Sequence, residues 1–180
     1  DVHVVPPPVV TAQVEAVLDD LPVAAVKTGM LATREIVEVV ADLAAAERLP
    51  NLVVDPVMVA SSGARLLTPD AEEACRRALL PHAVVATPNV HEAEVLLGVR
   101  IRTLDDQRDA ARRLAALGVR HVVVKGGHAV ADAGRQATDV LADRDTGHVR
   151  DLVAPRLPSR NTHGSGCTFA SAVAAGLALG

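Results

Sequence analysis

The sequence predicts an α/β protein with three layers, in which a mainly parallel sheet lies between layers of helices. Short Val-rich runs alternate with helical segments along the 180 residues, and strands that are apolar throughout are typical of parallel strands buried on both faces. Phe169 is the only aromatic residue, so we expect a core of Val, Leu and Ala. No linker divides the chain, and we expect one domain over residues 1–180.

The first half of the chain predicts three helices and two strands. Helices are expected over residues 8–21, from the cap residue Thr33 to Ala44, and from Thr68 to Leu80. Strands are expected over 24–27 and over 52–55, where Pro56 ends the run. The first two helices each have an apolar face. It is formed in the first by Val10, Val14, Val17, Leu18 and Leu21, and in the second by Ile36, Val37, Val40, Leu43 and Ala44.

The second half continues the alternation and ends in a helix. It predicts a strand over 83–86, a short helix to Leu97, a longer helix over 104–117 and a strand over 121–125. Residues 137–153 are expected to form two antiparallel strands that turn near 145–147. The last helix is expected to start near Gly166.

Polar residues and glycines follow four of the predicted strands, at 27–29, 55–56, 87–89 and 125–127. Ligands of open parallel sheets bind at the carboxyl ends of the strands. One such end is common in any protein of this class, whereas four at one edge predict an active site.

A glycine turn over residues 163–166 leads into the last helix, with Cys167 directly behind it. The first amides of a helix lack intrahelical acceptors, and together with the helix dipole they bind anions such as phosphate. This field favours the thiolate of Cys167, which could then accept a proton. The alternatives are a tight connection with a packing cysteine, a metal site that lacks further ligands, and a cysteine hydrolase that nothing else supports.

Composition argues against several function classes. The chain has 18 basic and 22 acidic residues, for a net charge of −4, so no basic excess indicates nucleic-acid binding. Two cysteines do not form a disulfide framework, and no run reaches the ~18 apolar residues of a membrane span. We therefore expect a cytoplasmic protein without a membrane partner.

Five collinear stretches resemble one family: residues 26–31 (VKTGML), 53–63 (VVDPVMVASSG), 87–98 (TPNVHEAEVLLG), 123–128 (VVKGGH) and 161–168 (NTHGSGCT). They are similar to the hydroxymethylpyrimidine/phosphomethylpyrimidine kinases of thiamine biosynthesis, a vitamin-kinase branch of the ribokinase-like fold. The resemblance implies a three-layer ribokinase-like domain that transfers phosphate from ATP, with Mg²⁺, to hydroxymethylpyrimidine and its monophosphate. It also implies a possible homodimer.

The resemblance also implies roles for individual residues. Cys167 would be the general base, and the metal would be held near Glu92 and Asp55, largely through water. The other implied roles are an anion hole at Gly164, Ser165 and Gly166, contacts to ATP and its phosphates at Lys125, Asn89 and Thr162, and contacts to the pyrimidine at Met30 and Val57.

Simpler interpretations remain for some of these residues. Asn89 could be a turn residue after Pro88, and Glu92 a first-turn acid favoured by the helix dipole. Lys27 is interpreted as a strand-end charge near solvent or a carboxylate.

Two further functions also stay open. One is a pyridoxal kinase, and the other is a truncated module that binds nucleotide or pyrimidine without catalysis. The family's N-terminal segment, with the pattern GSDxSGGAG, is not in the sequence. We therefore expect a domain that is incomplete at its N-terminus and at its C-terminus.

Overall fold

The computed structural model describes residues 3–58, 66–126, 136–157 and 164–180. These residues form one six-stranded sheet in which the strands follow one another in chain order. The strands are β1 (Lys27–Thr28), β2 (Val53–Val54), β3 (Val85–Ala86), β4 (His121–Val124), β5 (Gln136–Asp143) and β6 (Val149–Pro155). The first four are parallel, and β5 and β6 continue the sheet as an antiparallel pair.

Six α-helices accompany the sheet: α1 (Pro7–Asp20), α2 (Arg34–Ala45), α3 (Pro69–Ala74), α4 (Val90–Leu97), α5 (Leu104–Ala115) and α6 (Ser165–Leu179). Helix α3 continues through a π-helical turn, Cys75–Leu79, and a 3₁₀ turn, Leu80–His82. Connections between parallel strands are right-handed. Since β1 to β4 follow in order, the helices α2 to α5 therefore lie on the same face.

Strand alternation divides the core into two unequal parts. Side chains of Val54, Ala86 and Val122 belong to the large core formed with α2 to α5. Their neighbours Val53 and Val85 point the other way and pack against α6, which contributes the buried residues Ala170 and Ala174. Helices on both faces of a mainly parallel sheet confirm the predicted fold class.

Two helices begin at capping boxes that fix their first residues. In α5, Thr103 accepts from the Asp106 amide, and the Asp106 carboxylate accepts from the Thr103 amide. Asn89 and Glu92 make the equivalent pair at the start of α4. Gly98 ends α4 in the left-handed conformation, with φ of 65°.

The structure departs from the predicted elements at two helices. Helix α1 was expected to bury an apolar face, yet Val17 is 49% exposed and Leu21 is 54% exposed. This helix packs on α2, so only a narrow stripe with Val14 and Leu18 reaches the core. The helix predicted to reach Leu80 changes geometry after Ala74, and Pro81 prevents it from continuing because proline lacks the amide donor.

Candidate functional site

Four polar side chains project from the same face of the sheet, at the carboxyl ends of its parallel strands. Asp55 lies two residues beyond Val53 and Thr87 two residues beyond Val85, on the face that α6 covers. Lys27 pairs in register with Val53, and Lys125 follows Val124, which points to the opposite core. The period of two along a strand therefore brings all four side chains beneath α6.

Asp55 is the centre of this group. Its side chain is almost completely buried, with the residue only 2% exposed. Oδ1 accepts hydrogen bonds from Thr87 Oγ1 and from Lys125 Nζ, both at 3.2 Å, while Lys27 Nζ lies 3.6 Å from Oδ2. The only two lysines of the chain thus converge on one carboxylate, which compensates the charge that burial would otherwise make costly.

The N-terminus of α6 meets this group at Lys125. Gly164 precedes the helix with φ of 80°, a left-handed conformation that favours glycine. A Cβ placed on Gly166 would lie 3.3 Å from Lys125 Nζ, so glycine leaves the ammonium room beside the helix. The first intrahelical bond runs from the Thr168 amide to the Gly164 carbonyl, at 2.9 Å. The earlier amides of the helix have no intrahelical acceptor, and they add positive potential next to the lysine.

The two cysteines have different environments. Cys167 lies in the first turn of α6 and its thiol is exposed. Cys75 is buried in the large core, where burial and, less strongly, the charge of Glu92 raise the pKa of its thiol to about 12. Only Cys167 is therefore placed to react with a bound molecule.

Asn89 and Glu92 are held by each other at the start of α4. Glu92 Oε2 accepts from the Asn89 amide at 2.8 Å, and Asn89 Oδ1 accepts from the Glu92 amide at 2.9 Å. Asn89 is thus the N-cap of α4 rather than a turn residue after Pro88, while Glu92 is an acid of the first turn, as the simpler interpretation has it. A ligand-binding role would be additional to these.

Glu92 is also a buried acid, only 4% exposed. Burial raises the pKa of its carboxyl to about 7, and the charge of Asp55 adds to this rise. The amides of Asn89 and Met58 and the charge of Lys125 act in the opposite direction. Glu92 therefore gains or loses its proton near neutral pH.

Asp55 and Glu92 offer oxygen ligands, but in the part of the chain that the structure describes they are too few to hold a metal by themselves. Among the described residues, no three His, Cys, Asp or Glu side chains form a group that could hold a metal ion. Asp55 already receives two hydrogen bonds, and Glu92 accepts the Asn89 amide. Oxygen ligands of this kind suit Mg²⁺, which keeps several waters and binds through one or two carboxylates plus phosphates.

Lys125 is positioned by contacts to the backbone of its two chain neighbours, Val124 and Gly126. The Gly126 amide donates to Asp139 Oδ1 at 2.9 Å, and a Cβ on Gly126 would lie 1.9 Å from the Thr138 carbonyl oxygen. The buried side chain of Gln107 donates to the carbonyls of Val124 and Thr138, at 2.9 and 3.2 Å. These contacts fix the backbone on both sides of Lys125.

The structure also places the remaining predicted site residues. Met30 and Val57 follow the neighbouring strands β1 and β2; Met30 is 42% exposed and Val57 is half-buried. Their contact with a pyrimidine stays a prediction. Thr162 lies outside the described residues. Ser165 begins α6 and is exposed.

Three residues of this edge were not among the predicted site residues. Thr87, like Asp55, is a polar residue two positions beyond a buried valine. This spacing is visible in the sequence and could have predicted it. Gln107 and Asp139 come from other elements and gave no local signal. For Lys27, the expected carboxylate neighbour is present, and it is Asp55.

No helix within the described ranges combines the length and the apolar character that a membrane span needs.

Known proteins share this sequence and this fold. The chain is 50% identical over 171 residues to a hydroxymethylpyrimidine/phosphomethylpyrimidine kinase from Streptomyces coelicolor, covering 95% of the chain and 61% of that protein. It is 46% identical to the thiamine biosynthesis bifunctional protein ThiED from Geobacter sulfurreducens, covering 99% of the chain and 36% of that protein. The chain therefore spans less than two thirds of the length of these relatives.

A solved structure and a family model agree with these relatives. The pyridoxal kinase of Bacillus subtilis, solved as an ADP complex, superposes with a TM-score of 0.88 at 38% identity, covering 98% of this chain and 65% of that one. The model of the phosphomethylpyrimidine kinase family matches residues 1–180. The chain thus belongs to the phosphomethylpyrimidine kinase family and has the ribokinase-like fold of its vitamin kinases.

Proposed function

We propose that the protein is a kinase of thiamine biosynthesis that phosphorylates hydroxymethylpyrimidine and then its monophosphate, with ATP as donor. The main support for this proposal is that the N-terminus of α6 lies next to Lys125. A Cβ on Gly166 would lie 3.3 Å from Lys125 Nζ. A helix terminus and a lysine at one point bind phosphate well. The names of the similar proteins support the acceptor and the donor.

The chemistry required is the transfer of a γ-phosphoryl group. The acceptor oxygen forms a bond to the γ-phosphorus, the bond to ADP breaks, and the acceptor hydroxyl proton goes to a base. Cys167 is the proposed base, because it lies exposed in the first turn of α6. Little covalent help is needed in such reactions, and most of the catalysis comes from positioning and charge stabilisation.

Charge stabilisation is assigned to the α6 terminus and to Lys125. The amides near Gly164, Ser165 and Gly166 would form the anion hole for the moving group. Lys125 would contact the ATP phosphates, with Asn89 and Thr162 beside them. Because Gln107 and Asp139 fix the turn around Lys125, the ammonium needs little reorganisation when the phosphates arrive.

Mg²⁺ is the proposed metal. Asp55 and Glu92 would hold it, mainly through water. When bound, it would neutralise charge on the phosphates and fix their orientation. The pyrimidine would lie against Met30 and Val57, at the ends of β1 and β2.

The proposal is tested with the protein as its gene encodes it, by following phosphate transfer at saturating ATP. Cys167→Ala is expected to lose most of its turnover, by about 100-fold or more if Cys167 is the general base. Cys75→Ala is the matched control, since the thiol of Cys75 is buried in the large core and cannot contact a bound molecule. Turnover of Cys167→Ala equal to that of the native protein would contradict the proposed base.

A second candidate acceptor is pyridoxal. It is favoured by the close superposition on the Bacillus subtilis pyridoxal kinase, at a TM-score of 0.88. The two acceptors are separated by comparing kcat/KM for hydroxymethylpyrimidine and for pyridoxal on one preparation. A higher value for pyridoxal would replace the first assignment.

A further inference from the structure

The two lysines that share Asp55 are bound to it unequally. Lys125 Nζ donates a hydrogen bond to Oδ1 at 3.2 Å. Lys27 Nζ lies 3.6 Å from Oδ2, within ion-pair range but beyond hydrogen-bond distance. Lys125 is therefore fixed, whereas Lys27 is held by charge alone.

Lys27 keeps its hydrogen-bonding capacity although its side chain is only partly exposed. Its side chain is 19% exposed, and its ammonium donates no hydrogen bond to any residue in the described ranges. Buried polar groups are normally hydrogen-bonded, and an ammonium carries three donors. A half-enclosed ammonium with unused donors indicates an acceptor that arrives with a ligand.

The surroundings of Lys27 leave room for that acceptor. A Cβ on Gly29 would lie 3.3 Å from Lys27 Nζ, so the glycine keeps the space beside the ammonium open. Met30, which is proposed to contact the pyrimidine, follows on the same segment after β1. Lys125 instead lies beside the α6 terminus, beyond β3 in the strand order. The two ammonium groups thus approach Asp55 from different strands, Lys27 from β1 and Lys125 from the end of β4.

We propose that Lys27 binds the phosphate group of the monophosphate acceptor and so equips the site for the second of the two phosphorylations. This inference rests on the proposed function. The alcohol and the monophosphate have the same ring and differ by one phosphate group, which carries about −1.5 to −2 charges at neutral pH. The phosphate of the monophosphate needs a cation with unused hydrogen-bond donors, as Lys27 is, whereas the alcohol has no group that would use one.

Asp55 allows Lys27 to leave its ion pair and contact the phosphate. When Lys27 turns to the phosphate, the carboxylate keeps its bonds from Lys125 and Thr87, so no buried charge is left without a partner. Lys27 is therefore a specificity-determining residue that favours one acceptor over the other.

The test compares kcat/KM for hydroxymethylpyrimidine and for its monophosphate, in the native protein and in Lys27→Met. We expect kcat/KM for the monophosphate to fall about 10- to 100-fold more than that for the alcohol, as loss of a charged hydrogen-bonding partner implies. The difference should appear mainly in KM. Both acceptors are measured on one preparation, so their ratio does not depend on the folded fraction.

Two variants accompany this measurement. Lys27→Arg keeps a cation and is expected to restore part of the monophosphate reaction. Lys27→Gln, which also removes the charge, replaces Lys27→Met if that variant does not fold. Arg48→Met removes an exposed charge that pairs with Asp19, and it should leave the ratio of the two acceptors unchanged.

The outcomes separate the inference from the function on which it rests. An equal effect of Lys27→Met on both acceptors, or no effect on either, would overturn the role of Lys27 while the kinase assignment stands. A native protein that phosphorylates neither pyrimidine would overturn the proposed function and this inference together.

Discussion

Lys125 Nζ lies 3.2 Å from Asp55 Oδ1, and this contact joins the end of β4 to the end of β2 across the intervening strand β3. Thr87, at the end of β3, donates to the same oxygen at 3.2 Å. Three neighbouring strands therefore share one buried acceptor at the edge where the substrates are proposed to bind. Changes at this acceptor should affect activity and stability together.

Lys125→Met is expected to lower kcat by about 100- to 1,000-fold, the range found when a preorganised donor to a developing charge is removed. Arg113→Met is the control and should keep native turnover, because Arg113 is an exposed residue of α5 whose charge pairs with Asp109. Both variants are compared at saturating ATP, and thermal unfolding verifies that each is folded. Native turnover in a folded Lys125→Met protein would remove Lys125 from the phosphoryl side of the site.

Gly126→Ala should unfold more easily than the native protein, by about 3 kcal/mol or more, because its Cβ would overlap the Thr138 carbonyl. Gly147→Ala is the matched control. Gly147 has φ of 71° and open space around it, so it should cost only the roughly 1–2 kcal/mol of the left-handed conformation. Urea unfolding measures both. Equal losses would mean that the turn after Lys125 is free to move.

Glu92→Gln tests the buried acid through the pH dependence of stability. The folded protein raises the pKa of Glu92 from 4.5 to about 7, so between these values the folded state binds more protons than the unfolded state. Stability contributed by the protonated acid is thus present below about pH 4.5 and is lost as the pH rises through 7. The Gln variant stays neutral. Its stability relative to the native protein should rise by about 3 kcal/mol between these limits.

Glu94→Gln provides the control for that measurement on the same helix. The Ile101 amide, which donates to Glu94 Oε1 at 2.8 Å, is the main cause of a lowered pKa for this carboxyl. Glu94 is therefore ionised in the folded protein across the same pH window. The stability difference between its variant and the native protein should stay nearly constant above the unfolded pKa of 4.5. A constant difference for Glu92→Gln as well would contradict the raised pKa.

Thiol labelling should modify Cys167 and leave Cys75 unmodified in the folded protein. Cys167 is exposed, whereas burial raises the pKa of Cys75 to about 12 and keeps reagents away. Mass spectrometry after iodoacetamide treatment is expected to find one modified cysteine, and none in Cys167→Ala. Two modified cysteines under native conditions would show that the core around Cys75 opens readily.

Local pattern was sufficient for most of the fold. Val-rich runs predicted β2, β3 and β4, and the cap residue Thr33 predicted the start of α2. The strand predicted over 24–27 overlaps β1 only at Lys27. The exposed face of α1 could not be predicted in this way. Periodicity shows that Val17 and Leu21 lie on an apolar face, but it does not show what covers that face.

The site was predictable where its residues follow strands. Asp55 and Lys125 end apolar runs, so the common edge of a parallel sheet brings them together. The turn supports, Gln107 and Asp139, come from a helix and from an antiparallel strand. Their contacts depend on tertiary packing, which no spacing within the chain encodes. The unequal contacts of the two lysines with Asp55 are likewise visible only in the interatomic distances, not in the sequence.

The unequal division of the core has a consequence for motion. Within the described residues, α6 is held to the sheet by a small cluster around Val53, Val85 and two alanines, while α5 belongs to the much larger one. Segments with few buried apolar contacts open first, well below the free energy of global unfolding. Amide hydrogen exchange should therefore be faster in α6 than in α5. The helix that carries the glycine turn and Cys167 would then be the part of the scaffold that bound phosphate protects most.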